Sequence, residues 1–200
     1  VKYLTVSQDA HLKSLVKKSS FNAYVFPIED ASKVKFLLAQ IKKDHKQAHH
    51  IAFAYKIVSY APLKDRTEVE SRYSDDGEPS KTAGFPLMRI LEKEKLFNCI
   101  IIVARVFGGI KLGTAGLTKA FGDAGLKALT LVSVIKKELT KTIEVDTSIQ
   151  SFSKLEIFLK QQNLNYKSSF QGEKVSLKIN FPINKQAEEK ELNQFCTNLL

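Results

Sequence analysis

Residues 97–121 read FNCIIIVARVFGGIKLGTAGLTKAF. The apolar run from Phe97 to Phe107 has the length and β-branched character of a strand. Four of the chain's nine glycines then fall within residues 108–116. Thr114 stands where it can cap a helix on which Leu117, Phe121, Ala124 and Ala128 share a face, with Gly122 and Gly125 letting another element approach closely. A strand that runs through glycines into a helix is a common way to hold an anion, because free N–H groups and the helix dipole converge there. Gly108, Gly109, Gly113 and Thr114 supply that turn, and Arg105 and Lys111 supply positive charge. The same glycines equally serve a tight turn that only packs closely, and these residues alone do not separate the two readings.

The named nucleotide motifs do not fit. Gly108 and Gly113 have P-loop spacing, but the lysine falls at position 111 and Thr114 follows Gly113 directly, so GxxxxGKS/T is absent, as is GxGxxG. Gly113 to Gly116 is formally the GXXG of RNA-clamping KH loops, a tetrad that arises often by chance.

Upstream lies SDDGEPSKTAGFP (residues 74–86), whose turn residues lead into a helix with Pro86 in its first turn and Leu87, Ile90 and Leu91 on its buried side. Asp75, Asp76 and Glu78 place three carboxylates within four residues. They could hold a hard cation or act as acid and base, with His50 as a partner. The spacing is not that of an EF-hand. A turn of this kind more often bonds its carboxylates to backbone N–H groups or pairs them with nearby bases, here Arg105 or Lys111. His49 and His50 point to opposite faces of a strand and cannot chelate one metal from the same side. No metal site, cofactor or cysteine-nucleophile signature is expected.

Further upstream, SSFNAYVFPIED (residues 19–30) starts as a strand and breaks at Pro27, after which Asp30 or Ser32 can cap a helix. Val34, Leu37, Leu38 and Ile41 form its apolar stripe, and it ends near His45. AHHIAFAYKIV (residues 48–58) is a strand with His49, Ile51, Phe53, Tyr55 and Ile57 on one face and His50, Ala52, Ala54 and Lys56 on the other. Residues 60–74 are polar and charged, and are expected as a mobile loop.

From about residue 136 only Gly172 remains of the glycines. The order becomes strand (TKTIEV), helix (Phe152, Leu155 and Leu159 inward), strand (LNYKSSF), strand (Val175, Leu177, Ile179 and Phe181 inward) and helix (Leu192, Phe195 and Leu199). That is five-sixths of a ferredoxin-like unit, with the sequence ending where the last strand would begin. The expected fold class is therefore α+β in two domains, residues 1–135 and 136–200.

The chain of 200 residues is 44% hydrophobic and 26% charged, so it should fold throughout. Lys and Arg outnumber Asp and Glu by 21 to 13 in residues 1–135 and by 10 to 8 in the remainder, so the net charge of +10 belongs mainly to the first part. Such a charge favours polyanions such as RNA, DNA, the ribosome or anionic lipid, and does not by itself choose among them. No secretory leader or membrane span is read, and the expectation is a soluble cytoplasmic protein.

Together, SDDGEPSKTAGFPLMRIL and FNCIIIVARVFGGIKLGTAGLTKAF resemble the signature of the Impact family, in its bacterial YigZ-like branch. KKSSFNAYVFP and AHHIAFAY resemble upstream parts of the same pattern. The sequence departs from the family's usual wording at Lys81 and Ala115, where glycine is common, at Val106 and Phe121, where tyrosine is usual, and at Lys119, where arginine is. The resemblance implies an N-terminal domain of the fold used in ribosomal proteins and elongation factor G, followed by a ferredoxin-like domain. It also implies a link to translation, which in eukaryotic members runs through the pathway that phosphorylates an initiation factor. The function expected is a translation-associated regulator that binds nucleic acid or the ribosome through Arg105, Lys111, Lys119 and Lys81 and the turn of Gly108, Gly109, Gly113 and Thr114. Two rivals stand beside it. One is a metal-assisted hydrolase of a phosphate-bearing small molecule; the other is a regulator that docks a protein partner through an open strand edge.

Overall fold

The computed structural model describes residues 1–61 and 64–197. They form a two-domain α+β protein whose contacts divide into two compact units, one from Lys2–Ser59 with Thr67–Lys137, the other from Tyr60–Arg66 with Glu138–Leu200 and Val1.

The first unit is built on a five-stranded sheet in the order β2 (Ala10–Val16), β3 (Ser19–Pro27), β6 (Cys99–Val106), β4 (His50–Ala61), β5 (Arg66–Ser74). Strand β6 is central and runs antiparallel to both β3 and β4. Its apolar residues form one unbroken run because both of its faces are covered. Ile100, Ile102 and Ala104 pack with Val34, Leu37 and Ile41 of α1 (Ala31–Asp44). Cys99, Ile101 and Val103 pack on the other side with Leu87 and Leu91 of α2 (Gly84–Lys93) and Phe121 and Ala124 of α3 (Gly113–Leu129). The carboxylate of Asp30 caps α1 by accepting from the N–H groups of Ser32 and Lys33 at 2.8 and 3.0 Å. Between α2 and α3 only Gly125 makes the close approach expected of two glycines: a Cβ there would stand 2.6 Å from Leu87 Cδ2, whereas one at Gly122 would meet Pro86 at an ordinary 3.8 Å.

One stretch departs from the sequence expectation, and another, residues 2–16, carries none. Among the described residues of the stretch expected as a mobile loop, Arg66–Ser74 form strand β5; Pro62 and Leu63 of that stretch lie outside the described residues. As the edge of the sheet it exposes most of its charged side chains, which is why it does not look like a strand. It is held by the Tyr55 hydroxyl, which donates to Glu70, and by Tyr73 packed edge-on against Phe85. Residues 2–16 supply β1 (Lys2–Val6) as well as β2, and β1 pairs with β7 (Val134–Glu138).

In the second unit β8 (Thr140–Ser148), α4 (Ile149–Gln161), β9 (Asn165–Gln171), β10 (Lys174–Pro182) and α5 (Gln186–Thr197) follow in the expected order. Strand β10 lies between β8 and β9, antiparallel to each. Leu155, Leu159, Val175, Leu177, Ile179, Phe181 and Leu192 form the core. The side chain of Phe195, and Leu199 as a whole, fall outside what the structure describes. No described helix is long and apolar enough to cross a membrane.

Candidate functional site

The register of the central sheet decides which side chains meet. His50 of β4 and Phe21 of β3 are both the cross-strand partners of Arg105 on β6, so the three lie abreast on the face that α2 and α3 cover. The guanidinium carbon of Arg105 sits 5.7 Å from the centroid of the Phe21 ring and 5.5 Å from that of Phe107. Arg105 is only 6% exposed. Its NH1 donates to Glu78 Oε1 at 2.5 Å, and among the described groups its Nε has no hydrogen-bond partner.

The DDGEP loop reaches Arg105 because its own carboxylates shape it. Asp75 accepts from three backbone N–H groups, those of Lys81 (2.8 Å), Ala83 (2.9 Å) and Gly84 (2.8 Å), and so closes the entry to α2, where Ala83 itself offers no side-chain cap. Asp76 Oδ2 accepts from the Ile51 N–H at 2.6 Å. The Asp76 carbonyl faces His50 Nδ1 at 2.7 Å. A carbonyl only accepts, so that bond places a proton on Nδ1 and leaves Nε2 directed towards Glu78 Oε1, 3.9 Å away. The three carboxylates thus serve different partners. Among the described residues no group of three His, Cys, Asp or Glu side chains is arranged to hold a metal ion.

The glycine turn completes the site. Gly108 lies so close to β3 that a Cβ would stand 2.0 Å from the carbonyl carbon of Lys18, and its N–H donates to Ser19 Oγ at 3.1 Å. Gly109 and Gly113 have φ values of 84° and 70°. Helix α3 begins at Gly113 after Leu112, which makes no side-chain cap. Thr114 is therefore inside the first turn and not the cap expected of it; its carbonyl accepts from the Thr118 hydroxyl at 2.9 Å. Leu112 offers no cap, and among the described residues no side chain is seen to accept from the first α3 N–H groups, at a point where the dipole is positive.

Between loop and turn lies a cleft of about 400 Å³. It brings together His50, Glu78, Arg105, Lys111, Gly113 and Thr114, with walls of Pro79, Phe107, Leu112 and Leu117. Lys81 and Lys119 are exposed but stand outside it. Asp75, Asp76, Gly108 and Gly109 shape the loops around it without lining it. The walls were missing from the sequence reading, and so was Phe21, which lies far away along the chain and meets Arg105 only once β3 and β6 pair. A larger hollow of about 670 Å³ lies beside Tyr3, Ile28, Phe36 and Asn98, and several of its polar groups serve the fold. Asn98 Nδ2 donates to the Tyr3 hydroxyl, the Asn98 carbonyl accepts from Thr5, and Asp30 caps α1.

A basic domain whose sheet carries helices on both faces, with the DDGEP loop tied to the end of the central strand just before the glycine turn, joined to a ferredoxin-like unit, defines the class. The chain belongs to the Impact family: the Impact N-terminal domain matches residues 17–129. It is similar to the IMPACT family member YvyE of Bacillus subtilis, with 29% identity over 193 residues, 96% of this chain and 83% of that one. It is also similar to the IMPACT family member YigZ of Escherichia coli, with 29% identity over 173 residues, 86% of this chain and 82% of that one. A crystal structure described as that of an hypothetical protein superposes with a TM-score of 0.71 and 26% identity, covering 97% of this chain and 92% of that one.

Proposed function

We propose that this protein is a cytoplasmic, translation-associated regulator that binds RNA or a ribosomal surface through the basic rim of the glycine turn. The observation that carries the reading is the start of α3. Among the described residues no side chain is seen to cap its first N–H groups, and the exposed Lys111 stands beside them. The exposed Lys119 on α3 and Lys81 on the DDGEP loop would add phosphate contacts, and the excess of basic residues in the first 135 positions supplies longer-range attraction. The family's link to translation supports the same reading. The DDGEP carboxylates have backbone and guanidinium partners of their own, which favours binding over metal-assisted hydrolysis.

Titration of single-stranded RNA into the full chain at increasing salt tests the reading. Affinity falls steeply with salt, and Lys111→Ala lowers the slope of log K against log salt by about one. No binding at low salt refutes it.

A further inference from the structure

We propose that the cleft at the start of α3 receives a terminal phosphate, the phosphomonoester at the end of an RNA strand or on a free nucleotide, with the attached base or sugar against Phe107 and Leu112. The proposal deepens the RNA reading and rests on it for the strand end.

Two independent observations point to an anion. The first is the uncapped N-terminus of α3, a helix of 17 residues whose dipole is directed at the cleft. The second is Arg105, which lines the cleft, is 6% exposed, and keeps one N–H, at Nε, without a partner among the described groups. A buried guanidinium N–H left unsatisfied is costly, and an acceptor that displaced the groups covering Nε at the edge of the cleft would relieve that cost. The charges fit as well. Glu78 offsets Arg105, while Lys111 and the helix terminus remain to balance a ligand.

Shape selects a terminal phosphate over an internal one. An internal phosphodiester carries a nucleotide on each side and would have to bury both to approach so deep a guanidinium. A chain end can enter with one nucleotide behind it. At about 400 Å³ the cleft lies near the lower end of the range for small-molecule sites. The walls then choose among anions. Phe107 is 39% exposed beside the partly buried Leu112, a surface on which a base can stack and which inorganic phosphate would leave wet.

The test uses the full chain and three ligand sets. They are short single-stranded RNAs of one sequence with a 5′-phosphate, a 3′-phosphate or hydroxyl ends; a nucleoside monophosphate and its nucleoside; and inorganic phosphate. A phosphate-ended RNA should bind about tenfold or more tightly than its hydroxyl-ended counterpart. The nucleoside monophosphate should compete with it, while the nucleoside and inorganic phosphate compete far less. Lys111→Ala and Phe107→Ser, both at exposed positions, should remove the preference without changing the circular dichroism spectrum. RNA bound equally well whatever its ends overturns this proposal and leaves the RNA reading standing. Nucleoside monophosphate bound without any RNA supports the cleft and refutes the RNA reading. Inorganic phosphate binding as well as the nucleotide, or no ligand binding at all, overturns the proposal.

Discussion

Glu78 and Arg105 form an ion pair of 2.5 Å in which both partners are almost wholly withdrawn from water, with side chains 3% and 7% exposed. The pair joins the DDGEP loop to the end of the central strand, so the loop's position and the floor of the cleft are one structural decision. Withdrawing two charges from water costs about as much as their attraction returns, so the pair's value lies in what happens when half of it is removed.

Removing one half should be severe. Glu78→Ala leaves a buried guanidinium with no counter-charge and is expected to cost about 3–5 kcal/mol of stability. The double change Glu78→Leu with Arg105→Met should cost much less than the sum of the two single changes, because it leaves no orphaned charge. Urea denaturation of the full chain followed by near-ultraviolet circular dichroism measures both. Additive losses would mean that the pair is not coupled.

The glycine turn separates two reasons for having no side chain. At Gly108 a Cβ would collide with the backbone of Lys18 and Ser19, at 2.0 to 2.4 Å, and backbone cannot swing aside. At Gly109 there is nothing within 4 Å, but φ is 84°. Gly109→Ala should therefore cost about 1–2 kcal/mol, the ordinary penalty for a left-handed residue with a Cβ. Gly108→Ala should cost about 3 kcal/mol or more, since overpacking here has to part the turn from β3. Equal shifts in thermal midpoint would refute this distinction.

What could be read from the sequence follows the range of the interaction. The stripe on α1 and its Asp30 cap, the apolar run of β6 and the alternation in β10 are local patterns, and all three elements form as read. The exposed edge strand β5 was hidden because its polar residues are set by a neighbour and not by its own periodicity. The helix caps show the same limit. Asp30 caps the helix that follows it directly, whereas Asp75 caps α2 across a loop, and α3 begins with no side-chain cap although Thr114 invites one. The residues of the cleft were largely nameable, as basic and acidic groups around a turn. That Arg105 would be buried beside Phe21 and face Glu78 depends on strand register, which no local pattern specifies.

Acid should weaken the fold through a second polar contact, away from the cleft. The Tyr24 hydroxyl meets His45 Nε2 at 2.5 Å, and His11 stacks on the Tyr24 ring. Burial holds the pKa of His45 below its ordinary 6.5, with the nearby positive groups His11 and Lys13 acting in the same direction and Asp44 against them. The folded chain therefore binds this proton less readily than the unfolded one. Where the unfolded state holds more protons, stability rises with pH. The contribution is complete above about pH 6.5 and is lost as the pH falls through the lower folded-state value. His45→Gln keeps a polar group near Tyr24 but cannot titrate. Its thermal midpoint should fall less steeply than that of the parent between about pH 7 and pH 5. Parallel curves for the two proteins across that interval would show that His45 does not carry the effect.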